Sequence, residues 1–138
     1  MDISEIKKQD IQGDFLELMF RKQTLVEKEF AIVEGVPERL IFGKQKNLHL
    51  PEVCRFINDQ ILWRMVQEIN EAVVALKNGK TWRKAKYFTD VNEYKDEVAD
   101  IMIYFINLCL ASGIDPEELT QLVLKKIIVN QKRIKSKY

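Results

Sequence analysis

Residues 98–110 constrain the fold more than any other part of the chain, because nearly every side chain in this stretch is apolar. A helix of this composition is expected to be buried on most of its circumference. The polar exceptions are Glu97, Asp100, Tyr104 and Asn107, whose spacing of i, i+3, i+7 and i+10 aligns them along one stripe of the helix. A carboxylate stays ionised in such surroundings only when it is paired, hydrogen-bonded or bound to a metal. The stripe therefore predicts a polar site built against a buried helix.

The few glycines and prolines of the chain fall where helices are expected to begin and end. They predict helix A over residues 14–34, helix B over 51–77, helix C over 90–112 and helix D from 115 to about 133. The segment 36–50 is predicted to be a long loop, and the basic residues after 133 a frayed end. The resulting fold class is all-α, a four-to-five-helix bundle that forms one domain over residues 1–138.

Helix B carries a second acidic pair, Glu68 and Glu71, again three residues apart on one face. The short loop between helices B and C makes them antiparallel neighbours, so this pair is expected to meet Glu97 and Asp100. Four clustered carboxylates repel one another, and a hard divalent cation with oxygen ligands relieves that repulsion. We predict a Mg²⁺ site, with Mn²⁺ as a substitute ion. The alternative for helix B alone is an exposed face on which its acids pair with Arg64, Lys77 or solvent.

Composition narrows the class of protein further. The net charge of +1 supplies no long-range attraction to nucleic acid or to an acidic membrane. The longest apolar run is shorter than the ~20 residues of a membrane span, and the polar N-terminus does not look like a signal peptide. Cys54 and Cys109 lie in apolar helical surroundings without the spacing of a zinc site, so we interpret them as reduced core residues. A cytoplasmic protein with no nucleic-acid or membrane partner is expected.

The two acidic motifs resemble the hallmark of the all-α nucleoside triphosphate pyrophosphatases, the superfamily of MazG proteins, dimeric dUTPases and phage dCTPases. That hallmark is Glu-x-x-Glu on one helix and Glu-x-x-Asp on the next, and the resemblance covers helices A to D. In many members a second glutamate precedes the first motif, whereas this chain has Gln67. The segment 36–50 has no counterpart that we identify, and substrate-specificity determinants are one role open to it.

The resemblance assigns further residues to a site. Glu68 corresponds to the general base, and Gln23 and Asn107 resemble two amides that contact the base in the dUTPase and dCTPase branch. Amides offer both a donor and an acceptor to a base edge. The phosphate-binding positions implied by the same resemblance are Lys80, Trp82 and Lys84 in the loop after helix B, and Lys126, Asn130 and Arg133 on helix D.

The predicted activity is Mg²⁺-dependent hydrolysis of a deoxypyrimidine triphosphate, dUTP or dCTP, to the monophosphate and pyrophosphate. A homodimer or higher homo-oligomer is expected, with sites lined by both subunits. One alternative is a MazG-like enzyme that removes a broad range of nucleotides or modified ones. Another is a non-catalytic helical dimerisation or adaptor module, in which Asp100 and Asn107 only set the pairing of helices.

Overall fold

The computed structural model describes residues 14–77 and 90–137, and within these ranges the regular structure is helical throughout. The predicted all-α fold class is confirmed. In chain order the elements are α1 (Phe15–Glu34), α2 (Glu38–Ile41), a 3₁₀ turn (Gln45–Asn47), α3 (Pro51–Phe56), a π-helical stretch (Ile57–Leu62), α4 (Trp63–Lys77), α5 (Val91–Ser112) and α6 (Pro116–Lys137).

The helix starts follow from three aspartates. The side chains of Asp14, Asp90 and Asp115 each accept a hydrogen bond from a backbone N–H two or three residues further on, at 2.8 to 3.2 Å. These bonds satisfy donors that have no partner inside the first turn. α1 and α5 end at Gly35 and Gly113, whose φ angles of 66° and 70° are left-handed. The predicted bounds of helices A and C are therefore confirmed.

Three other predicted boundaries differ from the structure. The segment 36–50 is not one continuous loop, because it contains α2, which buries Leu40 and Ile41, and the 3₁₀ turn. The basic tail is not frayed, because α6 continues to Lys137. Lysines in a last turn stabilise a helix by facing the negative end of its dipole. Helix B changes from α to π geometry over residues 57–62, for which the sequence pattern gave no signal.

The core consists of two clusters that share α5. One cluster is formed by Leu40, Val53, Ile57, Ile61 and Ala111, and the other by Phe20, Ile106, Cys109 and Leu119. The buried part of α5 is its C-terminal half, whereas Val98 and Ile103 are 46% and 41% exposed. The prediction that this helix is buried on most of its circumference is thus wrong for its first half, which packs mainly against α4.

Helices α4 and α5 are antiparallel neighbours, as predicted. The backbone N–H of Asp90, just before α5, donates to the carbonyl of Ala75 near the end of α4 at 3.1 Å. Two turns earlier on α4, Glu68 lies opposite Glu97 and Asp100. Residues further back along α4 therefore meet residues further forward along α5, which is the arrangement that brings the two acidic motifs together.

The two cysteines are placed differently. Cys109 is 2% exposed in the core, as predicted, and burial raises the pKa of its thiol. Cys54 is exposed, so the interpretation of this residue as a core residue is wrong. Its neighbours Val53 and Ile57 occupy the inward face of the helix, and the Cys54 thiol instead donates to the carbonyl of Leu48.

Helix α6 leaves most of its apolar side chains exposed. Leu122, Val123, Leu124, Ile127, Ile128 and Ile134 are each 46% to 60% exposed. In the part of the chain that the structure describes, no single helix has the length and apolar content of a membrane span. Only α5 and α6 taken together meet that test, and they form a bent pair at 110°.

A close backbone approach between Gly43 and α5 gives a test of the fold. The Gly43 N–H donates to the carbonyl of Leu110 at 3.0 Å, and a Cβ at this position would lie 1.9 Å from the carbonyl oxygen of Ala111. Because both groups are backbone, the contact cannot be relieved by a rotamer change. We predict that Gly43→Ala lowers the free energy of unfolding by about 2–4 kcal/mol in urea titrations.

The matched control is Gly35→Ala, where the left-handed φ of 66° meets open space. Its cost is only the backbone strain of about 1–2 kcal/mol. Equal losses in the two variants would contradict the close packing of the 36–50 segment on α5.

Candidate functional site

Three of the four predicted acids converge between α4 and α5. Glu68, Glu97 and Asp100 each offer a carboxylate oxygen, and these oxygens all lie within 4.8 Å of one another. All three residues are half-buried. Glu71, one turn beyond Glu68, is exposed and does not belong to this group of three. The structure thus brings together the acids of both motifs, with Glu71 at their edge.

Two oxygens of this cluster lack hydrogen-bond partners. Oε2 of Glu68 and Oε2 of Glu97 are buried, and no residue in the described part of the chain donates a hydrogen bond to either. A buried acceptor without a donor is costly, and more so when it carries charge. Oxygen ligands are what Mg²⁺ and Mn²⁺ prefer in proteins. The acids therefore fit a divalent cation by distance and by donor chemistry.

The electrostatics of the cluster agree with this fit. Burial, together with the adjacent carboxyls of Glu68 and Glu71, raises the pKa of Glu97 to about 7. Burial also raises the pKa of Glu68, and the charges of Glu71 and Asp100 add to that effect. The ionised acids thus destabilise one another, and a bound cation would remove this destabilisation.

A cleft of about 800 Å³ opens beside the acids. It is lined by residues of α1, of the 36–41 segment, of the π-helical region, of α4 and of α5, among them Glu68, Asp100, Phe30, Tyr104, Gln23 and Asn107. Asp100 and Asn107 are seven residues apart on one helix, which corresponds to about 10 Å along its axis. The cleft therefore runs from the acid cluster to a polar wall formed by α1 and α5.

This polar wall contains both predicted base-reading amides. The Gln23 side-chain N–H donates to Oδ1 of Asn107 at 3.0 Å, across 84 residues of sequence. The same Nε2 donates to Oε1 of Glu27 at 3.3 Å, one turn along α1. Burial raises the pKa of Glu27, and the hydrogen bond from Gln23 opposes that shift. The two amides were predicted from the sequence, whereas Glu27 was not, since its only signal is its i+4 spacing from Gln23.

A second missed residue is Arg64, which was considered only as an ion-pair partner of the acids on helix B. It lines the same cleft as Glu68 and Asp100 and donates to Oε1 of Gln60 at 3.1 Å. Among the described residues that line the cleft, Arg64 is the basic one. Glu27 and Glu34 add to the negative charge of the cleft. Its spacing of i−4 from Glu68 was the signal that sequence reasoning had available.

The predicted phosphate-binding residues are not brought to the cleft. Lys126, Asn130 and Arg133 are exposed on α6 and do not line it. The reason is the turn at Gly113, since α6 leaves α5 at a bend of 110°. The other three, Lys80, Trp82 and Lys84, lie outside the residues that the structure describes.

Comparison with known proteins identifies a family. Residues 43–126, which are more than half of the chain, match the model of the family described as phosphoribosyl-ATP pyrophosphohydrolase. The matched range contains both acidic motifs and Asn107, and excludes α1. No curated protein sequence and no solved structure gives a significant match.

This match confirms part of the resemblance inferred from the acidic motifs. An all-α pyrophosphohydrolase of the MazG-like superfamily was predicted, and that is the superfamily to which the matched family belongs. The chain therefore belongs to the phosphoribosyl-ATP pyrophosphohydrolase family, and with it to the hydrolases that act on phosphoric anhydrides.

Proposed function

We propose that the protein is a Mg²⁺-dependent pyrophosphohydrolase that converts a deoxypyrimidine triphosphate, dUTP or dCTP, to the monophosphate and pyrophosphate. The observation that carries the proposal is the convergence of Glu68, Glu97 and Asp100 beside a cleft of nucleotide size. Membership of a pyrophosphohydrolase family supports the type of bond that is cleaved.

In this proposal Glu68, Glu97 and Asp100 hold the cation, and Glu71 supports it from the edge of the cluster. When bound there, Mg²⁺ or Mn²⁺ supplies neutralisation of the triphosphate charge and lowers the pKa of a water. Glu68 would orient the attacking water and accept its proton as general base, a role assigned by family resemblance. Burial raises the pKa of Glu68, which makes its carboxylate a stronger base than that of an ordinary glutamate.

The substrate phosphates also need cationic partners from the chain, because the acids among the described lining residues would otherwise repel them. These acids are Glu27, Glu34, Glu68 and Asp100. Arg64 is placed for this role, since it lies one helical turn from Glu68 in the same cleft. Arg forms paired hydrogen bonds to phosphate oxygens. Further phosphate contacts are assigned to Lys80, Trp82 and Lys84, and to Lys126, Asn130 and Arg133 of α6.

The residues of α6 would reach a cleft most directly in a homodimer. The exposed apolar residues of α6 supply the surface on which a second copy would pack. Such pairing would bury the apolar face of α6 and carry its basic residues to the partner. This assignment would also account for the exposure of most of α6 beyond its one buried residue, Leu119.

Gln23 and Asn107 are proposed to contact the base. Their mutual hydrogen bond places two amides at the end of the cleft away from the acids, at a distance from Asp100 that a nucleoside spans. A second candidate substrate is a nucleotide of the phosphoribosyl-ATP type, which the description of the matched family favours. A third candidate is a broad range of nucleotides or modified nucleotides, as for a MazG-like house-cleaning enzyme.

The first test of function is hydrolysis by the purified protein. We predict pyrophosphate and monophosphate release in equal amounts from dCTP or dUTP with Mg²⁺, no release with EDTA, and slower release from the other nucleoside triphosphates and phosphoribosyl-ATP. Asp100→Asn keeps the shape of the side chain but removes a ligand charge, so kcat should fall on the order of 100-fold or more. Release of orthophosphate, or turnover that survives EDTA, would refute the proposal.

The second test separates metal binding from turnover. Mg²⁺ at a hundredfold excess over its Kd should stabilise the wild-type protein by about 2.7 kcal/mol, and thermal unfolding measures this as a rise in Tm. Glu97→Gln removes one repelling charge, so we predict a higher Tm than wild type without metal and no further rise with Mg²⁺.

Asp96→Asn is the control for this test, because Asp96 is an exposed neighbour on the same helix and lies outside the cluster. It should keep the wild-type response to Mg²⁺. A wild-type Tm that does not change with Mg²⁺ or Mn²⁺ would speak against the cation site and for an adaptor role of the bundle.

A further inference from the structure

In the polar wall of the cleft, formed by Gln23, Glu27 and Asn107, the donor and the acceptor of each hydrogen bond can be assigned. Nε2 of Gln23 carries two hydrogens, and it donates to Oδ1 of Asn107 and to Oε1 of Glu27. Both donors of Gln23 are therefore used within the protein. The pair of bonds fixes which way each amide faces, because a flipped Gln23 would set its oxygen against two other acceptors.

The groups that remain for a ligand follow from this accounting. Among the described residues, the groups left without a partner are Oε1 of Gln23 and Oε2 of Glu27, which are acceptors, and the side-chain N–H₂ of Asn107, which is a donor. No residue in the described part of the chain donates a hydrogen bond to Oε2 of Glu27 or forms an ion pair with this carboxylate. The wall thus offers two acceptors, one of them charged, against a single donor residue.

Nucleobases differ in how well they match such a wall. The pairing edge of cytosine presents an exocyclic N–H₂ donor beside the N3 acceptor, adenine presents N6–H₂ beside N1, and guanine presents N2–H₂ beside its N1–H donor. Uracil and thymine present their O4 acceptor where cytosine has its amino group. Against Glu27 that oxygen would meet a negative acceptor, and two facing acceptors repel.

We propose that Glu27 is a specificity-determining residue, which accepts a hydrogen bond from the exocyclic amino group of the base and so selects bases that carry such a group over uracil and thymine. The inference rests on the proposed function, because it takes the base to lie at the Gln23–Asn107 end of the cleft when the phosphates lie at the acids. Within that frame it narrows the substrate from a deoxypyrimidine triphosphate to dCTP.

The burial of Glu27 fits this role. The residue is half-buried and lines the cleft, so its carboxylate loses part of its hydration, and no residue in the described ranges forms an ion pair with it. Glu34, on the same face of α1, also lines the cleft but is exposed and has no bond to the amide pair. The two glutamates therefore form a matched pair in which only one is tied to the base-reading amides.

The test compares nucleotides that differ at a single exocyclic group. For the wild-type protein we expect kcat/KM for dCTP to exceed that for dUTP by at least tenfold, and calorimetry to give tighter binding of dCMP than of dUMP. Glu27→Gln keeps the size of the side chain and adds an N–H₂ that suits O4 of uracil. It should reduce the dCTP over dUTP preference by tenfold or more, whereas Glu34→Gln should leave it within twofold.

The outcomes separate this inference from the proposed function. Hydrolysis with equal or better use of dUTP, or the same preference in Glu27→Gln and Glu34→Gln, overturns the role of Glu27 and leaves the pyrophosphohydrolase proposal standing. Preferential binding of dCMP without hydrolysis of any triphosphate supports the role of Glu27 and overturns the proposed activity. A wild-type protein that neither binds nor cleaves nucleotides overturns both. Equal Tm values of the two variants would show that a change in preference is not a loss of fold.

Discussion

The antiparallel packing of α4 against α5 is the contact on which the rest of the structure depends. It sets Glu68 opposite Glu97 and Asp100, so that carboxylates from two sequence motifs share a space less than 5 Å across. Apolar packing around α5 holds them there against their mutual repulsion. Burial raises the pKa values of Glu68 and Glu97, and the charges of neighbouring carboxyls add to that effect. A bound cation would offset the repulsion between the carboxylates, so that the same helix packing would no longer oppose their charge.

The stripe on α5 links this acid cluster to the opposite end of the cleft. Asp100 belongs to the acids and Asn107 to the wall formed with α1, and Tyr104 lies between them in the cleft lining. One rigid helix therefore fixes the separation between the phosphate end and the base end of the proposed site. Rigid elements hold such separations better than loops do. The family relationship indicates the type of bond that is cleaved, and selection among nucleotides is the role that we propose for the wall.

Sequence patterns predicted the parts of this structure that depend on local chemistry. Aspartate caps and left-handed glycines located the ends of α1 and α5, because their hydrogen bonds and φ angles are set within a few residues. The i, i+3 spacing of the acids, together with the predicted antiparallel pairing of two helices, predicted the acid cluster of Glu68, Glu97 and Asp100. Patterns failed where the outcome depends on which face meets which partner. The burial of α5, the exposure of Cys54, the π-helical stretch and the position of α6 are of that kind, and so are the cleft positions of Arg64 and Glu27.

The most direct test of the central claim is a crystal structure of the protein soaked in Mn²⁺, with anomalous diffraction measured at the manganese edge. We predict an anomalous peak within bonding distance of carboxylate oxygens from Glu68, Glu97 and Asp100, and its loss in crystals of Asp100→Asn. Crystals of the wild-type protein that show no peak between α4 and α5, or a peak held only by other residues, would contradict the account.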